Sequence, residues 1–176
     1  VDQTDIQTFS VANPAAPVKI NTQTVAAQIE SILHHEGRLF IGSGLGLFIY
    51  QIEADGIPSL LSSNVYDYPI IPCDPVVAND QYAYVSLHDQ DTEGPCGGWI
   101  DINVLKIFDI SDIMNPIQIA EYEMSKPKGL GLDGDILFVC DDYDGLKVFD
   151  VSDPLNIQLK HHFQGFTAFD VIPLDL

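Results

Sequence analysis

Carboxylates crowd two short stretches of this sequence. Asp89-Gln-Asp-Thr-Glu-Gly94 offers oxygen ligands at alternate positions followed by a glycine, the opening of a calcium loop. Asp89, Asp91 and Glu93 are the candidate ligands and calcium the candidate cation. The twelfth position, where a bidentate glutamate is expected, is Ile100, with Asp101 one further on. Asp141-Asp142-Tyr143-Asp144-Gly145 is a second acidic turn. Such turns also serve as ordinary solvated hairpins, and nothing in the chain requires a cofactor. His34-His35 and His161-His162 are adjacent pairs; neighbours on a strand point to opposite faces, so neither pair can chelate alone. Gly42-Ser-Gly-Leu-Gly46 lies between two strand-like runs rather than before a helix, so it reads as a turn and not a dinucleotide loop. No GxSxG elbow is present.

The elements that must position these groups are strands, and a repeat defines them. Ile6-Gln-Thr-Phe-Ser-Val11, Leu47-Phe-Ile-Tyr-Gln-Ile52, Leu105-Lys-Ile-Phe-Asp-Ile110 and Leu146-Lys-Val-Phe-Asp-Val151 begin 41, 58 and 41 residues apart. The middle interval is the same period carrying an insertion over 88–104. Pro17, Pro58 and Pro116 each follow a motif start by eleven residues, and Ile157 replaces proline in the fourth copy. In the last complete unit, alternating apolar and polar residues mark strands near 128–132, 136–140, 146–151 and 156–162. Asp133-Gly134, Asp144-Gly145 and Asp153-Pro154 mark the turns between them. A period near 40 with four strands per unit is the sequence signature of a propeller blade. The expected fold is therefore all-β: a β-propeller of four-stranded antiparallel blades, about three whole blades plus two partial ones, in a single domain over 1–176. Residues 1–24 supply a half blade, 25–66, 67–125 and 126–166 the whole blades, and 167–176 the first strand of the next.

Alignment of the first strands puts Glu30, Asp74, Lys128 and Asp170 at one equivalent position, where they would line a central channel. Three carboxylates and a lysine could hold a cation or a polar ligand there; channel-facing positions are also simply wet. Trp99, Tyr82 and Tyr84 are aromatic candidates for a contact patch or for the core.

Leu105-Lys-Ile-Phe-Asp-Ile-Ser-Asp and Leu146-Lys-Val-Phe-Asp-Val-Ser-Asp-Pro resemble the LVIVD repeat, a propeller repeat of secreted and surface-anchored bacterial and archaeal proteins. Gly129-Leu-Gly-Leu-Asp-Gly-Asp-Ile-Leu-Phe-Val-Cys-Asp and Ala168-Phe-Asp-Val-Ile-Pro-Leu are similar to the Bacteroidetes type of that repeat. The first two units depart from it, with Ser10 and Gln51 where the motif has aspartate. The resemblance implies a partial propeller without an agreed activity, so it carries over no catalytic residue. It also implies a Cys73–Cys96 disulfide, with two free thiols as the alternative; the bond would pin the insertion to its own blade and fits an oxidising compartment. Cys140 aligns with the small residues Gly42 and Ser86 and reads as a buried, inert thiol.

Twenty-six acidic against seven basic residues give a formal charge of −19 over 176 residues. Such a chain has no basic stripe for a phosphate backbone and no attraction to an anionic bilayer, and its apolar runs are strand-sized. Neither a nucleic acid nor insertion in a membrane is expected, and no signal peptide is recognised. The expected function is that of a non-enzymatic extracellular or cell-surface propeller module serving as a binding scaffold or structural assembly subunit. His88, Trp99 and Asp101 in the insertion are its binding-loop candidates. The expected partner is a protein, or another copy engaged through exposed strand edges. One alternative is self-assembly through those edges into a filament or ring. Another is a metal-assisted hydrolase or lyase using Glu30, Asp74, Lys128 and Asp170.

Overall fold

The end of the repeated motif explains where each third strand stops. The Asp109 carboxylate accepts the Ser111 N–H at 2.9 Å, and Asp112 then accepts Met114 N–H at 3.1 Å. The last copy does the same, with Asp150 accepting Ser152 N–H at 3.1 Å and Asp153 accepting Leu155 N–H at 3.1 Å. Two successive aspartates thus satisfy backbone donors locally, offering the chain a turn in place of further ladder. In the first copy Ser10 and Asn13 take the same places, accepting from Ala12 and Ala15.

The computed structural model describes residues 4–26, 29–65, 75–88 and 102–174. The regular structure among them is β throughout. Strands β1 (Asp5–Ser10) and β2 (Val18–Thr24) form a two-stranded sheet. Strands β3 (Ile29–His35), β4 (Arg38–Ser43), β5 (Gly46–Ile52) and β6 (Pro58–Val65) form a four-stranded one. A second comprises β7 (Val76–Ala78), β8 (Tyr82–Leu87), β9 (Val104–Asp109) and β10 (Ile117–Glu123). A third comprises β11 (Leu130–Asp133), β12 (Ile136–Cys140), β13 (Leu146–Asp150) and β14 (Gln158–Phe163). Every sheet is antiparallel and in sequence order. All four also share one irregularity: the register between the motif strand and the strand after it shifts by a residue beside Phe9, Tyr50, Phe108 and Phe149. The extra residue lies on the strand after the motif, at Ile20, Leu61, Ile119 and Lys160, and a bulge there adds local twist.

Alternation along the middle sheet builds the core on both of its faces. Ala83, Val85, Leu87 and Phe108 pack with Phe40, Leu47 and Ile49 of the preceding sheet. Tyr84, Leu105 and Ile107 pack on the other side with Leu130, Leu137, Val139 and Phe149 of the following sheet. A smaller cluster of Val25, Ile41 and Tyr50 joins Ile6 of the two-stranded sheet to the first four-stranded one. The second and third strands of a unit are the most buried: five of six β9 residues are buried, but no β3 residue is.

The expected β-propeller is corrected by this architecture. Four separate antiparallel sheets of two, four, four and four strands are present; the described residues form neither a closed circle nor curled propeller blades. The likeness to the LVIVD repeat loses its structural basis with them. The physical reason is that a repeat encodes strands and their order inside a sheet. Closure depends on how many sheets there are and on the angle at which each meets the next. Here the main contacts between sheets run from β3 and β4 to β7, and from β7 to β11. Residues 167–174 are not the expected strand either, making a single bridge between Ala168 and Asp142. Pro173 lacks the N–H that a ladder would use.

Candidate functional site

The acidic turn between β12 and β13 is the most densely charged interior of the described residues. Its backbone is closed by Asp144 N–H to Asp141 O at 3.0 Å, Gly145 N–H to Asp142 O at 3.0 Å and Asp141 N–H to Gly145 O at 2.8 Å. Asp142 has φ of 49° and Gly145 φ of 87°. A side chain at Gly145 would strike Phe163 O at 2.0 Å, so glycine is needed both for the left-handed φ and for the approach of β14.

Asp141 is fully buried and fully partnered. One oxygen accepts Lys126 N–H at 2.5 Å; the other accepts Ser125 N–H at 3.1 Å and is paired with the Lys147 ammonium. Lys147 also lies 2.7 Å from Asp144. Burial alone would lower the Lys147 pKa, but its hydrogen bonds and charge interactions with Asp141 and Asp144 outweigh this and raise it. The hydrogen bond from Lys147 holds the Asp144 carboxyl down to about 2, helped by Gln164 and Ser125. His162 Nε2 lies 2.6 Å from Asp144 O, and His161 turns to the other face, 6.0 Å from the Phe163 ring centroid. Asp142 differs from its neighbours. Its Oδ2 lies 3.0 Å from Lys128 Nζ, while its Oδ1 is buried with no hydrogen-bond partner. Lys128 Nζ in turn sits 4.5 Å from the centroid of Phe169.

Of the four aligned charges, Lys128 and Asp170 come together about Gly129. Gly129 N–H donates to Phe169 O at 2.9 Å, and a Cβ at Gly129 would lie 2.4 Å from Asp170 Oδ1. Asp170 itself accepts Val171 N–H at 2.9 Å. Glu30 stands on β3, where burial raises its carboxyl pKa. His88, half-buried, ends the described stretch 75–88 just after β8. Asp74, Asp89, Asp91, Glu93, Trp99, Asp101, Cys73 and Cys96 lie outside the described residues. Among the described residues no three His, Cys, Asp or Glu side chains are grouped to hold a metal. The carboxylates of Asp141, Asp142 and Asp144 instead face lysine ammonium groups, and ammonium and cation compete for the same oxygens. The sequence pattern did not single out Lys147 or its equivalent Lys106, which lies 3.5 Å from Glu121; both occupy the polar second place of the motif.

The other prominent feature is apolar. Gly131, Phe138, Val148 and His161 are in register on the outer face of the last sheet, away from the middle sheet. Residues 167–174 cross this face, where a Cβ at Gly131 would meet Pro173 at 2.7 Å. Phe163, Phe166, Phe169, Ile172 and Leu174 are exposed by 50–78% within a twelve-residue stretch.

No protein-family model matches the chain. Nor does any curated protein. The fold is similar to the crystal structure of a protein from Lactobacillus plantarum, with a TM-score of 0.70 at 14% identity over 92% of this chain. The match covers 52% of that protein, so this chain spans about half its length. At that identity the likeness is one of fold alone. The expectation of a propeller module, as scaffold, assembly subunit or funnel, is thus corrected: among the described residues no ring closes to create the channel. No helix among the described residues is long and apolar enough to cross a membrane.

Proposed function

We propose that this domain recognises a protein partner, without catalysis, on the outer face of its last sheet. The observation that carries the reading is the exposed apolar stretch Phe163, Phe166, Phe169, Ile172 and Leu174 beside Phe138 and Val148. Exposed apolar side chains concentrated in this way mark contact surfaces. The occupant is a protein with an apolar centre flanked by basic residues. A charge of −19 attracts such a surface over tens of ångströms at low salt, and the same charge on a second copy repels it. The acidic turn supports the non-catalytic reading, since its carboxylates are engaged with Lys128 and Lys147. The proposed setting is extracellular or at the cell surface, which a bond between Cys73 and Cys96 would fit and two free thiols would not.

A photoreactive residue placed at position 172, with one at the exposed Asp55 as control, tests the surface. The expected product is a hetero-complex formed from position 172 alone. Binding of the purified partner should weaken about tenfold or more in Phe169→Ser, the loss typical of an interface anchor, and should fall with salt. Cross-linking only to a second copy, or equally from both positions, would refute the proposal.

A further inference from the structure

Three of the four motif strands have neighbours on both sides. β5 lies between β4 and β6, β9 between β8 and β10, and β13 between β12 and β14. β1, the first copy, pairs among the described residues with β2 alone. Its other edge is an open ladder of backbone donors and acceptors.

The residue that closes the motif shows what this edge lacks. Ile52 N–H donates to Gly37 O at 2.9 Å, Ile110 N–H to Gln81 O at 2.8 Å and Val151 N–H to Asp135 O at 2.8 Å. Each acceptor is the residue just before the second strand of its unit. Val11 holds the same place in the first copy, is 64% exposed, and makes no such bond among the described residues. The side chains agree with the backbone. Phe9 is 47% exposed, whereas its equivalents Tyr50, Phe108 and Phe149 are buried.

The register of the three complete sheets also specifies the strand that would fit. The first motif residue faces a small one: Leu47 faces Gly42, Leu105 faces Ser86 and Leu146 faces Cys140. The third faces an aromatic ring, with Ile49 opposite Phe40, Ile107 opposite Tyr84 and Val148 opposite Phe138. The fourth faces Leu39, Ala83 or Leu137. Along the chain these partners read Leu39-Phe-Ile-Gly42, Ala83-Tyr-Val-Ser86 and Leu137-Phe-Val-Cys140, which is an aliphatic, an aromatic, a β-branched and a small residue in turn. On β1 the same tetrad would lie opposite Phe9, Thr8, Gln7 and Ile6. The sequence contains it three times, and all three copies are already paired.

We propose that β1 takes up an extended strand of a partner protein, antiparallel along its open edge and carrying this aliphatic–aromatic–β-branched–small tetrad. Main-chain hydrogen bonds, among them one from Val11 N–H, supply affinity, and the alternating side chains supply selectivity. A second copy of this chain is the poorer occupant. It would have to give up a strand from one of its own sheets, and its charge of −19 opposes the approach. The inference does not rest on the partner surface proposed above, which belongs to the last sheet rather than the first.

A synthetic peptide with the sequence of residues 37–44, Gly-Arg-Leu-Phe-Ile-Gly-Ser-Gly, is the probe, and the same residues in scrambled order are the control. Amide NMR of the whole chain should show saturable shifts over 5–11 with the ordered peptide only. Hydrogen exchange at Val11 should slow by about tenfold or more. Affinity should fall about tenfold for the peptide carrying Phe40→Ser and severalfold for the protein variant Phe9→Ser, whose exposed site leaves the fold intact. Absence of binding, equal shifts with the scrambled peptide, or shifts spread over the outer strands β6, β10 and β14 would overturn the proposal. So would shifts confined to β3–β5, the sign of a peptide displacing its own strand. Shifts over 5–11 that grow with protein concentration and no peptide would make a second copy the occupant and overturn it as well.

Discussion

A carboxylate in this protein takes its character from what stands within about 3 Å of it. Asp141, Asp142 and Asp144 are nearly consecutive, yet one is saturated, one has an orphaned oxygen, and one is held down to about 2. Lys147 links the first and third. Lys147→Met would leave Asp141 buried without its counter-charge, and unfolding in urea at neutral pH should show a loss of about 3–5 kcal/mol. The same variant carries a pH signature. Because the folded Asp144 carboxyl titrates below its ordinary 3.8, its contribution is complete above that value and disappears as pH falls through about 2. In Lys147→Met the slope of stability between pH 4 and 2 should flatten. An unaltered slope would mean that Lys147 does not control Asp144. The turn was visible in the sequence as an acidic cluster; that lysines answer it was not, because Lys147 and Asp141 are brought together by the pairing of β12 with β13.

Among the elements, the four motif strands were legible because alternation is a local property, as is the Asp-Xaa-Ser-Asp turn that follows the last two. The bulge beside Phe9, Tyr50, Phe108 and Phe149 was not, since it is a relation between two strands and leaves no mark on either alone. Residues 167–174 show the converse error, in which an apolar alternating run lies down without a ladder. What holds it is the absence of side chains at Gly129 and Gly131, together with Ala168 N–H donating to Asp142 O at 3.0 Å. Gly131→Val should therefore release this segment while sparing the sheet beneath. Hydrogen exchange at Ala168 and Gly129 is expected to accelerate by about tenfold or more, with β12 and β13 amides unchanged. Equal acceleration in all of them would show that the glycine serves the sheet itself.

For the molecule as a whole, three four-stranded sheets share one continuous scheme in which the middle sheet packs against a neighbouring sheet on both faces, and the last packs against the middle sheet on one face and is crossed by residues 167–174 on the other. The proposed partner surface follows from that asymmetry. The proposed extracellular setting can be checked on the intact chain by counting thiols. Cys140 is buried, and its thiol is pushed up to about 11, chiefly by burial, so it should resist modification in the native state. One reactive thiol is expected after denaturation and three after reduction. Three without reduction would remove the disulfide and the argument built on it.

Periodicity, turn chemistry and charge are properties of neighbouring residues, and from them the all-β class, the four motif strands, the positions of the turns and the acidic surface could be read directly. The stacking of the sheets, the pairing of Lys147 and Lys128 with the acidic turn and the laying of residues 167–174 across the last sheet came from tertiary structure alone. Each depends on the angle and distance between elements far apart in the chain. A repeat that is the same in every unit carries no information on how many units must meet before a ring closes.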